Sequence, residues 1–239
     1  MNASIWIGSG GIVMHITKNL DDLKLRISAA CALAGRNEND VSILAVSKRQ
    51  NLDSIRAAAS AGLNAFGENY VQEALEKIPQ CDPAIEWHFI GRIQRNKTRP
   101  IAENFSWVQT IASLTIAERL NLQRPAHLGP LNVCVQVDTD RSGEHGGVRP
   151  EDAETLCNQI AELGNLRLRG LMTVPIATAD RDSQRRPFRA LSGLYEKLRS
   201  QGLALDTLSM GMTADLEAAV LEGATMLRIG TALFGPRPA

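Results

Sequence analysis

The sequence predicts an α/β protein, a single-domain (β/α)8 TIM barrel with one extra helix at its N-terminus. Three observations lead there. Eight short apolar or alternating runs of strand size are interleaved with amphipathic segments of helix size. The 239 residues are close to the ~250 typical of such barrels. No Pro/Gly/Ser-rich linker breaks the alternation, so one domain is expected. A doubly wound open sheet is the competing architecture, but it uses fewer strands and a glycine-rich strand–turn–helix fingerprint. "GSGG" at 8–11 precedes no such unit.

The elements follow in order. "MNASIWIGSGGIV" (1–13) lacks a basic n-region and its apolar stretch is interrupted, so it does not read as a secretory signal. Residues 1–13 are expected to form a disordered extension, with Met14 a candidate start and the barrel domain spanning 14–239. Ile16, Leu20, Leu23, Ile27 and Leu33 keep roughly helical spacing, and Gly35 can stop that helix. "VSILAVS" (41–47) is almost unbroken apolar, as a strand buried on both faces must be, and Asn51 then opens a helix at 52–62. "NAFGE" (64–68) leads into a helix at 70–78, and "EWHFIG" (86–91) into one at 94–103. "SWVQTI" (106–111) is followed by Ser113 as starter of a helix at 114–122. After "LNVCVQVD" (131–138) comes the longest turn-rich segment, "DTDRSGEHGGVRP" (138–150), expected as a mobile loop at the barrel mouth. Pro150 suits the start of the next helix, at 151–163. "LRLRGLMTV" (166–174) precedes a helix at 186–200, "TLSMG" (207–211) one at 213–222 opened by Thr213, and "MLRIGTALFG" (226–235) closes the barrel.

Composition narrows the function. Lys plus Arg and Asp plus Glu both number 26, and no basic patch stands out, so nucleic acid is not the expected partner. The four cysteines lie far apart, with no CxxC pair and no histidine at zinc-ligand spacing. That suits reduced thiols in the cytoplasm and predicts no metal site. Nowhere do ~18 apolar residues run together, so no membrane span is expected.

In a barrel of this class the chemistry sits at the carboxyl ends of the strands. There the sequence places Lys48, Glu68-Asn69, His88, Ser209, Gly211, Arg228 and Gly230-Thr231. Lys48 ends an apolar strand, so it is either a solvated amine or one whose pKa falls from about 10.4 by desolvation and forms a Schiff base. Ser209 and Thr231 are short hydroxyl donors, and Gly211 and Gly230 let backbone N–H groups approach a phosphate. Arg228 can donate to a ring nitrogen or to a phosphate. Together these would hold an anionic aromatic aldehyde. Each residue also has a plain structural reading: Arg228 as an ion-pair partner, His88 as a packed imidazole, Glu68 as the partner of a basic neighbour.

"ILAVSK", "FGENYVQEALEK", "WHFIGRIQRNK", "LRGLMTVP" and "LSMGMTADLEAAVLEGATMLRIGTALFGPR" occur in this order over roughly residues 16–237. With these segments the chain resembles the pyridoxal phosphate homeostasis proteins, also called YggS/PROSC-like proteins. The resemblance implies a barrel similar to the N-terminal barrel of alanine racemase, with pyridoxal 5'-phosphate (PLP) held as an aldimine on Lys48. It further implies Ser209, Gly230 and Thr231 at the phosphate, Arg228 at the pyridine nitrogen and Asn69 near the cofactor. No residue is given a catalytic role. The implied function is to carry or regulate PLP, with apo-enzymes as recipients. Two departures stand out: Arg92 and Arg95 replace the expected His and Ser, and His145 stands where many relatives carry a loop lysine. A PLP-dependent amino-acid racemase is the main alternative; the chain leaves no room for that enzyme's second domain and has two tyrosines, Tyr70 and Tyr195. A cofactor-free Schiff-base aldolase and an interaction module that uses the 138–150 loop are further rivals.

Overall fold

Parallel strands need cover on both faces, and the apolar runs of the sequence become a closed ring of them. The computed structural model describes residues 9–235. The chain runs α1 (Ser9–Ala34), β1 (Ser42–Val46), α2 (Leu52–Ser60), β2 (Ala65–Glu68), α3 (Val71–Lys77), β3 (Glu86–Phe89), α4 (Thr98–Asn104), β4 (Trp107–Ile111) and α5 (Leu114–Gln123). It continues through β5 (Leu131–Gln136), α6 (Pro150–Ala161), β6 (Leu166–Met172), α7 (Arg181–Ser200), β7 (Thr207–Ser209), α8 (Leu216–Leu221), β8 (Met226–Ile229) and α9 (Thr231–Phe234). The strands pair in parallel in sequence order, and β8 closes on β1 with Leu44 opposite Arg228. The predicted barrel is the observed one.

Local chemistry fixes three of the four expected helix starts. The Asn51 side chain accepts from Ser54 N, the Ser113 hydroxyl accepts from Ile116 N, and Pro150 opens α6. Elsewhere the boundaries move. Helix α7 starts at Arg181, ahead of the expected 186, because the Asp180 carboxylate caps Ser183 N and the helix then runs through Pro187. The run expected as one last strand, 226–235, splits at Gly230 into β8 and α9. Thr213 does not start α8; the residue at that cap position is Asp215, which turns its carboxylate back onto Met212 N.

Helix α1 begins at Ser9, inside the stretch expected as an extension, and residues 1–8 of that stretch lie outside the described residues. A helix nucleated by tertiary packing propagates outward at little cost per residue. The packing here is by Ile16, Leu20, Leu23 and Ile27, all buried, followed by Ala30 and Cys31. Leu33, expected on the same face, is 81% exposed, since a period of 3.6 from Ile27 reaches residues 30 and 31 instead. Polar ties fasten α1 to the closing side of the barrel. Asn19 Nδ2 donates to Leu233 O, Arg26 binds the Glu217 carboxylate and Thr213 O, and Arg36 donates to Val220 O and Ala224 O.

Candidate functional site

A cavity of about 860 Å³ opens at the carboxyl ends of the strands, a normal size for a small-molecule site. Val46, Ile90, Met172 and Val174 supply apolar wall; Lys48, Asn69 and Arg228 supply polar groups converging on it. The first subset of the expected residues is therefore brought together. Gly230 and Thr231 line the same cavity.

Lys48 reaches the cavity from a turn that other buried groups hold in place. Arg49, the next residue, has φ of 61°, a left-handed conformation uncommon for a side chain with a Cβ. Its backbone N–H donates to Glu73 Oε1. Ser47 O accepts from Lys77 Nζ at 2.9 Å, and Ser47 Oγ donates to Glu68 Oε1 at 2.7 Å. Lys77, on α3 yet almost fully buried, also reaches Glu68 Oε1 at 2.8 Å and Glu73 Oε1 at 2.6 Å. Burial pushes the Glu68 carboxyl above its ordinary range, and the Lys77 and Ser47 hydrogen bonds oppose that. Sequence reading left Glu68 open to a basic partner; the partner is Lys77. Lys77 itself carried no signal, because a lysine ending a short helix normally faces water.

Asn69 follows Glu68 directly. Its side-chain Oδ1 is buried without a hydrogen-bond partner on the protein, which costs free energy unless a ligand or water supplies a donor. Its carbonyl packs tightly on Gly91, where an added Cβ would overlap the Asn69 backbone. Gly91→Ala is expected to displace Asn69 and to destabilise the protein by about 1–3 kcal/mol, as overpacking does. Thermal unfolding checks this; an unchanged midpoint would show that the 69–91 contact yields freely.

Arg228 is 4% exposed. Its NH1 donates to Ser209 O at 2.7 Å and Ser209 Oγ at 2.9 Å, and its NH2 to Thr173 O at 2.6 Å. Burial brings its pKa down to about 10, with Asp215 opposing, so it stays protonated at neutral pH. A guanidinium has five N–H groups and no acceptor, so three bonds leave donors over.

Ser209 lies apart from the other expected cofactor residues. Its side chain is fully buried, does not line the cavity, and donates from Oγ to Gln109 Oε1 at 2.6 Å while accepting from Arg228. Along the strands Ser209 pairs with both Met172 and Met226, and Met226 stands two residues before Arg228 on β8. Thr213 brings a hydroxyl that does line the cavity, between Met212 and Ala214, and it accepts from Ala232 N through Oγ1. Sequence reading took Thr213 as a helix starter. Its signal was a hydroxyl set beyond the strand end, opposite Gly230-Thr231.

Gly211 has a structural reason of its own. It has φ of 91° and an added Cβ would strike Ala219 and Leu227, so glycine is required there by the fold. At Gly230 an added Cβ would meet only Val46, at an ordinary 3.6 Å. Gly230 itself lines the cavity. His88 is packed, its ring stacked on Trp107 with centroids 5.0 Å apart, and burial lowers its pKa. The 138–150 loop covers one side of the mouth: Gly143 to Gly147 line the cavity, and Gln136 Nε2 ties His145 O at 2.9 Å. Neither tyrosine lines it; Tyr195 is buried with its hydroxyl on Leu205 O, and Tyr70 is half exposed beside α3.

Residues 19–238 match the family described as alanine racemase, N-terminal domain. The chain is 52% identical over 223 residues to the pyridoxal phosphate homeostasis protein of Pseudomonas aeruginosa, covering 93% of this chain and 96% of that one. Among solved structures, PipY of Synechococcus elongatus with PLP bound has a TM-score of 0.80 at 32% identity, covering 92% of this chain and 100% of PipY. An alanine racemase of Clostridium difficile has a TM-score of 0.77 at 17% identity, covering 94% of this chain and 57% of the racemase. That last likeness shows the barrel alone.

Proposed function

The chain belongs to the alanine racemase N-terminal domain family and, within it, to the pyridoxal phosphate homeostasis proteins, and from this we propose that it binds PLP at the strand-end cavity and carries or regulates it without turnover. The observation that carries the reading is the convergence of Lys48, the buried Arg228 cation and a hydroxyl- and glycine-edged seat on one cavity.

The residues fit the group. PLP supplies an aldehyde that condenses with amines and a ring that can spread charge. Lys48 would be the amine that holds it, and Thr213, Gly230 and Thr231 would seat its phosphate. Asn69 Oδ1, buried without a protein partner, is an acceptor waiting for a ligand donor or water. Arg228 can only donate, so it would hold the ring nitrogen as an acceptor and leave it unprotonated. That disfavours carbanion chemistry, and with neither tyrosine on the cavity wall a two-base racemisation lacks a tyrosine acid. Apo-enzymes that need PLP are the proposed recipients. Their place of contact is not the cavity floor but its open mouth. His145 stands on the loop there, and it cannot replace a lysine in forming an imine. No helix among the described residues is long and apolar enough to cross a membrane, and we assign the protein to the cytoplasm from its widely spaced cysteines.

Borohydride reduction of PLP-loaded protein should fix a pyridoxyl group on the peptide that contains Lys48. Label recovered mainly on another lysine, such as Lys97, would overturn the assignment. The same loaded protein, given L-alanine, should form no D-alanine above background. Racemisation at ~1 s⁻¹, the low end of ordinary turnover, that is lost in Lys48→Ala would make it an enzyme.

A further inference from the structure

We propose that Gln109, a fully buried amide inside the barrel, is a positioning residue that aims Arg228 at the cavity through Ser209, and so sets the preference of the site for a ligand ring carrying a nitrogen acceptor. The proposal rests on the reading of Arg228 as the partner of that ring.

Barrel interiors of this class are filled mainly by branched aliphatic side chains, and buried polar groups are costly unless satisfied. Here four strands contribute polar side chains to one connected group: His88 from β3, Gln109 from β4, Ser209 from β7 and Arg228 from β8, none more than 4% exposed. Gln109 Nε2 lies 2.9 Å from His88 Nδ1 and 3.1 Å from Met226 Sδ. Burial keeps His88 neutral, so its Nδ1 can serve as the acceptor for that amide. With Nε2 committed to His88, Gln109 Oε1 faces Ser209 and takes its hydroxyl hydrogen at 2.6 Å. A serine hydroxyl has one hydrogen. Once it is given to Gln109, Oγ presents only lone pairs to Arg228 NH1, 2.9 Å away.

The direction of the chain is what matters. Every hydrogen bond donates away from the cavity, from Arg228 to Ser209 to Gln109 to His88, so each polarises the next. With the Gln109 amide reversed, the hydroxyl hydrogen would be free to point at Arg228, placing donor against donor. The far end is anchored by packing, since His88 is stacked on Trp107 and its Nε2 lies 3.8 Å from Glu86 Oε2, beyond hydrogen-bond length. A guanidinium held at NH1 and NH2 by Ser209 and Thr173 keeps one orientation beside the cavity that Arg228 lines, and it has donors over for a ligand there. Loss of the Ser209 Oγ bond would free part of that orientation.

The test compares binding of PLP with that of its 1-deaza analogue, in which a C–H replaces the ring nitrogen. A general loss of structure weakens both ligands alike and leaves their ratio unchanged. Wild-type protein should prefer PLP by about tenfold or more, the worth of one charge-assisted hydrogen bond. Arg228→Lys should bring the ratio near one. Gln109→Met and Ser209→Ala should each cut the preference to about threefold or less, and the double variant should fall no further, as for residues acting through one chain. A wild-type ratio of one overturns the reading of Arg228 and the proposal with it. A ratio that collapses in Arg228→Lys but stays at the wild-type value in Gln109→Met and Ser209→Ala overturns the positioning role alone. Should Gln109→Met not fold, Ser209→Ala decides by itself, since the proposal requires the loss there too.

Discussion

Lys77→Met is expected to destabilise the folded protein by about 3–5 kcal/mol, the cost of removing one partner from a buried ion pair. Methionine keeps the length and apolar stem but leaves Glu68 in the barrel wall, with Oε2 already without a partner and Oε1 stripped of its ammonium. It also removes the donor to Ser47 O, the residue before Lys48. The loss should carry a pH signature. Glu68 is held above its ordinary pKa by burial, against the pull of Lys77 and Ser47, and without Lys77 it rises further. A carboxyl whose folded pKa exceeds its unfolded value binds more protons when folded, so stability falls as pH rises through that window. The deficit of Lys77→Met should therefore shrink as pH is lowered toward the free Glu value of about 4.3. Urea unfolding at a series of pH values checks both parts. A deficit below about 1 kcal/mol, within the range of a surface pair, would mean that Lys77 behaves as a solvated side chain.

Pyridoxal should bind at least about 100-fold more weakly than PLP, because charge-assisted hydrogen bonds to a phosphate contribute about 1.5–3 kcal/mol each and several are lost together. Thr213 is placed to give one of them. Its Oγ1 accepts from Ala232 N, which leaves the hydroxyl hydrogen free to turn into the cavity that Thr213 lines. Thr213→Val, of the same shape, should bring the two ligands about tenfold closer in affinity. Ser209→Ala should leave that ratio as it is, since its hydroxyl faces Gln109 and Arg228. Titration of each variant with both ligands decides. Narrowing by Ser209→Ala and not by Thr213→Val would return the phosphate to Ser209.

The fold was legible because a parallel barrel imposes a strong local pattern: strands covered on both faces read as apolar runs, and the helices between them read at their own period. Lys48 was legible for a related reason. An amine closing such a run can only stand at one end of the strand, and strand direction makes that the mouth. Asn69, Arg228, Gly230 and Thr231 follow from the same rule and do line the cavity.

Ser209 and Thr213 show where the sequence alone stops. Both carry hydroxyls near the end of β7, and composition cannot rank them. The Ser209 hydroxyl is buried against Gln109 and Arg228, and beyond the turn at Gly211, with φ of 91°, Thr213 lines the cavity. Lys77 and Gln109 were hidden for another reason. Local periodicity shows how a segment is divided between water and core, but a buried polar group is defined by partners on other strands and helices. Sequence by itself determined the barrel, its strand ends and an amine at one of them; which hydroxyls line the cavity, and which buried groups hold the turn before Lys48 and Arg228 in place, was decided only when the ring closed and brought those partners within hydrogen-bond reach.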